Sequence, residues 1–372
     1  MIFDGPINNL SLGNVSLNIL RELIERNYPV SAFFPVGDNA DFSAYDKLNE
    51  EVRSKIIDLG MNRLKNLKKT DPTLKCWHIN GAERKLSDNQ YLFSFYETDS
   101  PTIEEIRILQ AQTHTFFSCS ETVEIFKKRG VNNVSFVPLG FDKDFYKTGK
   151  EYLGKGVTHF GLIGKWEKRK NTERIIRTWL KIFGGKKEYQ LTCLVDNPFF
   201  RPEIMEQLKM QAMDGKHWNN INWLPRLKTN SEMNELYNAI DIDLSGLSGA
   251  EGWGIPAHTS ACLGNVCVIS NCTAHKDWAY GDNIVLVEPE GKEECYDNVF
   301  FHKGVPFNQG RFYKISDEAI EAAILKGYGV FKNSLGKYDR SDLIEKFSYK
   351  NTVDQIISII NKTQTQQEII NY

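Results

Sequence analysis

Residues 240–256 read IDIDLSGLSGAEGWGIP, and this stretch decides the fold. Ile240–Leu244 is a short apolar strand, after which the chain breaks into the small residues Ser245, Gly246, Ser248, Gly249 and Ala250. One acid, Glu251, precedes Gly252-Trp253-Gly254, and Pro256 stands where its fixed φ and missing N–H suit a first helical turn. A strand, a glycine-rich turn and a helix N-terminus together form a cradle for an anion and a sugar. Free backbone N–H groups and the positive end of the helix dipole face the ligand. The glycines let it approach, and a carboxylate accepts hydrogen bonds from sugar hydroxyls. Taken alone, the stretch is equally a tight strand–helix turn with an exposed Glu.

The rest of the second half supplies the context. Strands are expected at Val157–Ile163, Leu191–Val195, Ile221–Leu224, Val266–Ile269 and Ile284–Val287. Ile175, Ile176, Trp179, Leu180 and Phe183 share one face of a helix between the first two. Further helices are expected at 203–213, 231–239 and 256–263, then at 317–326, closed by Gly327, and at 351–361, before a frayed polar tail from Thr363. Such alternation predicts a parallel sheet covered on both faces.

The first half is less regular. Residues 1–30 read as a loop, then a helix bearing Leu17, Leu20, Leu23 and Ile24; Val30–Phe34 is strand-like and 44–70 helical. Tyr91–Tyr96, Thr115–Ser118 and Val134–Val137 are further strands, with a helix at Ser120–Lys128. Pro138–Asp142 reads as a hinge into a polar connector, Lys143–Lys155. Two loops are candidate sites: Gly5–Gly13, with Gly13 and Asn14 at a helix N-terminus, and Glu97, Thr98 and Asp99, just past a strand's carboxyl end. Between Arg63 and Lys85 lie seven basic residues against Asp71 and Glu83, a stretch that either tracks phosphates or is a solvated face.

Gly161–Lys170, GLIGKWEKRK, is the second rich stretch. Its cations Lys165, Lys168, Arg169 and Lys170 precede a helix capped by Asn171 or Thr172, where they oppose the helix dipole. An anion such as a diphosphate would reconcile the two. Asp241 and Asp243 imitate a metal-binding pair, but they read as strand residues, and no metal is predicted. His258 and His275 flank the glycine turn and read as satisfied, partly buried histidines.

The 372 residues suit two domains, and 41% hydrophobic with 25% charged residues is the balance of a globular protein. A net charge of −2 offers no global field for nucleic acid or membrane. No apolar run approaches the ~20 residues that span a bilayer. Met1–Asp4 carries no leader pattern, and the seven cysteines match no metal spacing, which together predict a cytoplasmic protein with reduced thiols.

On these motifs, the second half resembles the C-terminal domain of the large retaining family of GT-B glycosyltransferases. Gly164-Lys165 and Lys170-Asn171 are similar to the segment whose two cations hold the donor diphosphate. Leu224-Pro225-Arg226-Leu227 resembles the loop around the nucleotide base, and Glu251–Pro256 the E-x7-E/EGFGxP motif. Pro138–Asp142 is similar to the interdomain linker. The likeness covers roughly residues 120–290 well and the first 110 loosely. It implies two Rossmann-like domains facing a cleft: 1–145 on the acceptor side, 146–340 binding the nucleotide sugar, and 341–372 a helix returning toward the first. Lys165, Lys170 and Glu251 are then the catalytic candidates. Gly164, Arg226, Leu227, Gly252, Trp253, Gly254, Ile255 and Thr259 are the donor-binding ones, and Gly13, Asn14, Glu97, Thr98 and Asp99 lie on the acceptor side. No cofactor is implied beyond the donor, a UDP-sugar.

Two departures stand out. Thr259 occupies the place of the second Glu, which holds the ribose in that family. The first half shows no counterpart of the family's catalytic-region His, and Tyr96–Asp99 falls in that place. A narrower likeness, in Asn271–Ala279 and Phe300–Gly310, is to tailed-phage glycosyltransferases. It implies hydroxymethylcytosine in double-stranded DNA as acceptor, met by the basic 63–85 stretch in the host cytoplasm. A polysaccharide, lipid or protein acceptor, a sugar-nucleotide epimerase of the same fold and a silent binding module are the other readings.

Overall fold

The computed structural model describes residues 1–36, 40–154, 156–334 and 336–370, the last five by backbone alone. The connector's end at Lys155 and the tail beyond residue 370 lie outside them. The first unit runs β1 (Ile2–Gly5), α1 (Ser11–Glu25), β2 (Ala32–Pro35), α2 (Glu50–Met61), α3 (Arg63–Asn66), β3 (Thr73–Cys76), β4 (Gln90–Ser94), α4 (Ile103–Gln110), β5 (His114–Phe117), α5 (Ser120–Lys127) and β6 (Val134–Phe136). Its strands form one parallel sheet in the order β2-β1-β3-β4-β5-β6.

The second unit runs β7 (Thr158–Ile163), a 3-10 turn (Lys168–Lys170), α6 (Thr172–Phe183), β8 (Tyr189–Leu194), α7 (Pro202–Ala212), β9 (Ile221–Trp223), α8 (Asn230–Ala239), β10 (Ile242–Gly246), α9 (Ile255–Cys262), β11 (Val266–Ser270), α10 (His275–Trp278) and β12 (Ile284–Val287). These strands pair in parallel in the order β12-β11-β10-β7-β8-β9. There follow an antiparallel hairpin, β13 (Gly291–Glu294) and β14 (Arg311–Lys314), then α11 (Asp317–Asn333), α12 (Ser341–Lys346) and α13 (Tyr349–Ile370).

Most strand residues are buried on both faces, which explains their near-continuous apolar reading. α6 places Ile175, Ile176, Trp179 and Phe183 in the core of the second unit beside Phe160 of β7. α13 returns to the first unit, where Val353, Ile356 and Ile360 join the core around Phe3, Leu20 and Phe93. The connector accepts it tightly: Phe141 N–H donates to Phe347 O at 2.7 Å, and Thr352 Oγ1 to Pro138 O at 2.8 Å.

Several expectations need correction. Residues 2–5, read as loop, are the strand β1, and β3 lies inside the basic stretch. Their polar members pair with each other, Lys75 Nζ standing 2.8 Å from Asp4 Oδ2 with both buried. α4 and the hairpin were not anticipated. Gly327 does not close α11, which continues to Asn333; a Cβ there would come within 2.8 Å of Val268, so the glycine serves helix–sheet approach. The tail does not fray at Thr363, because α13 continues to Ile370. The seven cysteines are all free and buried. Among the described residues no helix is long and apolar enough to cross a membrane.

Candidate active site

Loops at the carboxyl ends of both sheets meet between the units. Past β7, Gly164 lets the Lys170 side chain lie over it; the point where its Cβ would stand is 4.0 Å from Lys170 Cδ. Lys165 Nζ is 3.0 Å from Glu167 and sits over the rings of Phe199 and Phe300, at 5.6 and 5.0 Å. Asn171 takes the left-handed conformation, φ 52°, and spends its side chain on Leu247 O (3.0 Å). The first amides of α6 therefore have no side-chain cap. α9 starts the same way, from Gly254 at φ 82° and uncapped.

Arg169 organises the whole. Its Nη1 is 3.1 Å from Glu251 Oε1 and donates to Ala250 O at 2.7 Å; its Nη2 is 3.1 Å from Glu97 Oε1 of the first unit. Nε lies 2.8 Å from Glu167 Oε2, a charge contact off the hydrogen-bonding direction. The main chain joins in, Gly249 N–H donating to Arg169 O at 2.7 Å. Lys170 Nζ stands 2.5 Å from Glu251 Oε1. Three cations thus face three carboxylates, with Arg169, Glu167 and Glu251 buried.

The carboxylates differ in character. Burial favours the neutral acid at Glu251, yet Lys170 and Arg169 override it and hold the group well below the usual range. At Glu167 burial is likewise outweighed, by Arg169 and Lys165. At Glu97 burial wins and raises the pKa; Arg169 opposes it, while Glu251 and Glu167 push the same way as burial.

The glycine turn is packed from two sides. A Cβ on Gly252 would stand 2.7 Å from the Phe95 ring, and Gly252 O accepts from Ser118 Oγ at 2.6 Å, so this residue is where the first unit touches the turn. A Cβ on Gly254 would stand 2.5 Å from His275 Nε2. Trp253 points away from the cradle, buried against His258 and Phe347 at 5.2 and 5.3 Å, and its carbonyl accepts from Trp278 Nε1 at 2.8 Å. Ile255 opens α9, and Thr259 is buried in its second turn. Both histidines are buried and held neutral, at about 3 for His258 and about 4 for His275, chiefly by burial. Asp241 and Asp243 accept from the backbone N–H of His159 (2.9 Å) and Ser245 (2.6 Å). Among the described residues no three His, Cys, Asp or Glu side chains converge as a metal site.

The remaining candidates fall into separate groups. Arg226 reaches across to Asn9, Nη2 to Oδ1 at 2.5 Å, while Leu227 packs beneath with Leu236 and Tyr237. Arg226 and Leu224 also border a groove of about 640 Å3 beside Trp218 and Trp223. On α1, a Cβ at Gly13 would stand 2.3 Å from Asn8 Oδ1, and Asn14 donates to Asp142 Oδ2 at 3.1 Å. Glu97 joins the charge cluster and Thr98 is buried behind it. Asp99 is held by the hairpin, its Oδ2 3.1 Å from both Lys292 Nζ and Arg311 Nη2.

The sequence reading counted Arg169 among the cations of this loop without giving it a role of its own, and it left out Glu167. Acid and base alternating within Lys165–Lys170 was the available signal for both.

No family model matches the sequence, and no curated protein does. Solved structures do. A sucrose-phosphate synthase from Thermosynechococcus elongatus superposes with a TM-score of 0.68 at 12% identity, over 98% of this chain and 99% of that one. A glycosyltransferase from Rickettsia africae gives 0.65 at 10% identity, over 98% of each chain. HepE from Anabaena, solved with UDP and glucose, gives 0.61 at 12% identity, over 97% of this chain and 98% of that one. The fold is therefore GT-B, two parallel six-stranded α/β units facing a cleft.

Proposed function

We propose that this chain is a retaining glycosyltransferase that uses a UDP-sugar. One observation carries the reading: Lys165, Arg169 and Lys170 gather beside the uncapped N-terminus of α6, opposite Glu251 at the mouth of α9. Cations crowding a helix N-terminus are unfavourable unless an anion joins them. In this reading the donor diphosphate takes over Lys165 and Lys170, whose positive charge stabilises the leaving group. Glu251, released from Lys170, accepts a sugar hydroxyl, and the Gly252–Ile255 backbone completes the cradle around Gly164. Arg226 and Leu227 lie by the base, Thr259 near the ribose. Residues 146–340 are assigned to the donor, 1–145 with Gly13, Asn14 and Glu97–Asp99 to the acceptor, and 341–372 to the returning helix.

For the acceptor, hydroxymethylcytosine in duplex DNA is the first to test. Exposed Lys65, Lys68, Lys69 and Arg84 support it, whereas Lys75 is spent on Asp4 and Lys85 donates to Ala111 O. The seven buried free thiols support a reducing, cytoplasmic setting. The experiment is a transfer assay with pooled UDP- and GDP-sugars and duplex DNA, plain or hydroxymethylated, read by mass spectrometry of the nucleosides. A glycosylated nucleoside would establish donor and acceptor together. Donor hydrolysis alone would keep the enzyme class and redirect the search to polysaccharide, lipid or protein acceptors; an altered sugar released without any acceptor would favour an epimerase. No binding or turnover of any nucleotide sugar would sink the proposal.

A further inference from the structure

We propose that Phe199 and Phe300 are positioning residues for the donor: they form an aromatic corner that holds the Lys165 ammonium at the diphosphate site without neutralising it. The inference rests on the glycosyltransferase reading and its assignment of Lys165 to the diphosphate. Lys165 Nζ lies over both rings, 5.6 Å from the centroid of Phe199 and 5.0 Å from that of Phe300. The rings are 5.2 Å apart and stand at 86° to each other, so the ammonium meets two π faces turned in different directions.

Core packing does not account for these rings. Phe199, between β8 and α7, is 60% exposed, and Phe300, in the loop between β13 and β14, is half-buried. Each is instead presented by a turn that a polar side chain organises. The buried Asn197 donates from Nδ2 to Trp166 O at 2.9 Å and accepts the Phe199 N–H on Oδ1 at 3.0 Å. It thereby fixes Phe199 to the residue that follows Lys165. On the hairpin loop, Asp297 Oδ1 accepts the N–H groups of Val299, Phe300 and Phe301 at 2.9, 2.9 and 3.0 Å. Phe301 in turn is buried against Phe312, with centroids 4.9 Å apart. Two turns from distant parts of the chain thus bring their aromatic tips to one ammonium.

The charges explain why rings serve here. Lys165 pairs with Glu167 at 3.0 Å, but that carboxylate is shared with Arg169 at 2.8 Å. A second carboxylate would hold the ammonium more firmly and would repel the incoming diphosphate. A ring face attracts the cation through its quadrupole and carries no net charge, so the positive charge stays available to phosphate oxygens. The Lys165 side chain is 34% exposed and open to them. Its flexible four-carbon stem would otherwise lose rotamer freedom when the donor binds, and fixing it beforehand lowers that cost. Lys170 is held in the opposite way, by the Glu251 carboxylate that a donor has to displace.

The test is a double-mutant cycle read by calorimetry with UDP. Phe199→Leu and Phe300→Leu keep an apolar side chain and remove the π face. Each should weaken UDP binding by about three- to tenfold alone, and by less than about twofold in a Lys165→Met background. Uridine carries no phosphate; measured by its displacement of UDP, it should bind both Leu variants within about twofold of wild type. Phe300→Tyr keeps the ring and should keep UDP binding within the same limit. The proposal is overturned if the Leu variants bind UDP as wild type does, or if they weaken it as much in Lys165→Met as alone. Uridine binding that falls in step with UDP would also overturn it, because the rings would then act through the shape of the loops. So would a Phe300→Tyr variant as weak as Phe300→Leu. A wild type that binds no UDP refutes the glycosyltransferase reading itself, whereas UDP binding without coupling to Lys165 refutes the aromatic corner alone.

Discussion

Lys170 Nζ lies 2.5 Å from Glu251 Oε1, so the cation assigned to the diphosphate and the carboxylate assigned to the sugar are bonded to each other. A nucleotide sugar must part them, and the two ends of this pair should answer UDP differently. Lys170→Ala removes a phosphate ligand and should weaken UDP binding tenfold or more, with a 100- to 1,000-fold loss in kcat/KM for transfer. Glu251→Gln frees Lys170 from its partner; UDP should bind at least as tightly as to wild type while sugar transfer falls by a similar factor. Calorimetry with UDP beside a transfer assay checks both. Equal weakening of UDP binding in the two variants would refute the assignment of roles.

Two of the three carboxylates on Arg169, Glu251 and Glu97, should also act on stability with opposite signs. Glu251 has its folded pKa below the unfolded value, so its contribution is present above about pH 4.3 and is lost as pH falls toward the folded value. Glu251→Gln should then be less stable than wild type at pH 7 by about 1–3 kcal/mol, the gap closing in acid. Glu97 has its folded pKa raised, so its ionisation costs stability as pH climbs through that value. Glu97→Gln should be at least as stable as wild type at pH 8 and no different near pH 4. Urea melts across pH 4–8 read both slopes.

The second unit was legible because its strands are buried on both faces and its helices keep a clean period. Residues 240–256 carry the strand, turn and helix start in one continuous stretch. β1 and β3 were not legible because their signal is split between them. Asp4 makes Ile2–Gly5 look like a loop and Lys75 makes Thr73–Cys76 look like a surface run, and only their pairing at 2.8 Å shows two buried strands. The charge cluster was half legible. Lys165, Lys170 and Glu251 stand in local motifs, but Glu97 and Arg169 meet across the fold, and no local pattern in either neighbourhood records the encounter. Asn14, at a helix start, likewise gives its amide to Asp142 of the connector across 128 residues of chain, a contact that no local pattern records.

Gly140 of the hinge gives a prediction from close approach, with no left-handed backbone involved. A Cβ there would stand 2.0 Å from Tyr349 N and 2.6 Å from Tyr349 Cα, both backbone atoms at the start of α13. Backbone cannot swing aside as a side chain can, so Gly140→Ala should push α13 away from the connector. The Phe141 N–H to Phe347 O bond at 2.7 Å would be lost with it. The expected result is a loss of about 1–3 kcal/mol in a denaturant titration, as for overpacking elsewhere. Limited proteolysis should cut first near residues 347–349. Unchanged stability and protection would mean that the helix is seated by its apolar face alone.

Arg21 of α1 holds the connector from the other side. Its Nη1 is 2.8 Å from Asp144 Oδ1 and its Nη2 3.4 Å from Asp142 Oδ1, all three side chains being about 5% exposed. Asn18 adds a hydrogen bond to Asp142 Oδ2 at 2.9 Å, and Asn230 of the second unit one to Asp144 Oδ2 at 2.9 Å. The cluster thus joins α1, the connector and α8. Burial and the neighbouring Asp144 raise the pKa of Asp142 while Arg21 opposes them, so the arginine is the cation that offsets this pair of buried carboxyl groups. Arg21→Ala leaves both without their cation and should cost about 3–5 kcal/mol at pH 7. Asp142 then has every reason to take up a proton, so the deficit should shrink as pH falls toward 5. Arg21→Ala with Asp142→Asn should recover part of the loss at pH 7, because the amide keeps the Asn18 contact without the charge. A double variant no more stable than Arg21→Ala would show that the connector is held by shape and that the buried charges are incidental to it.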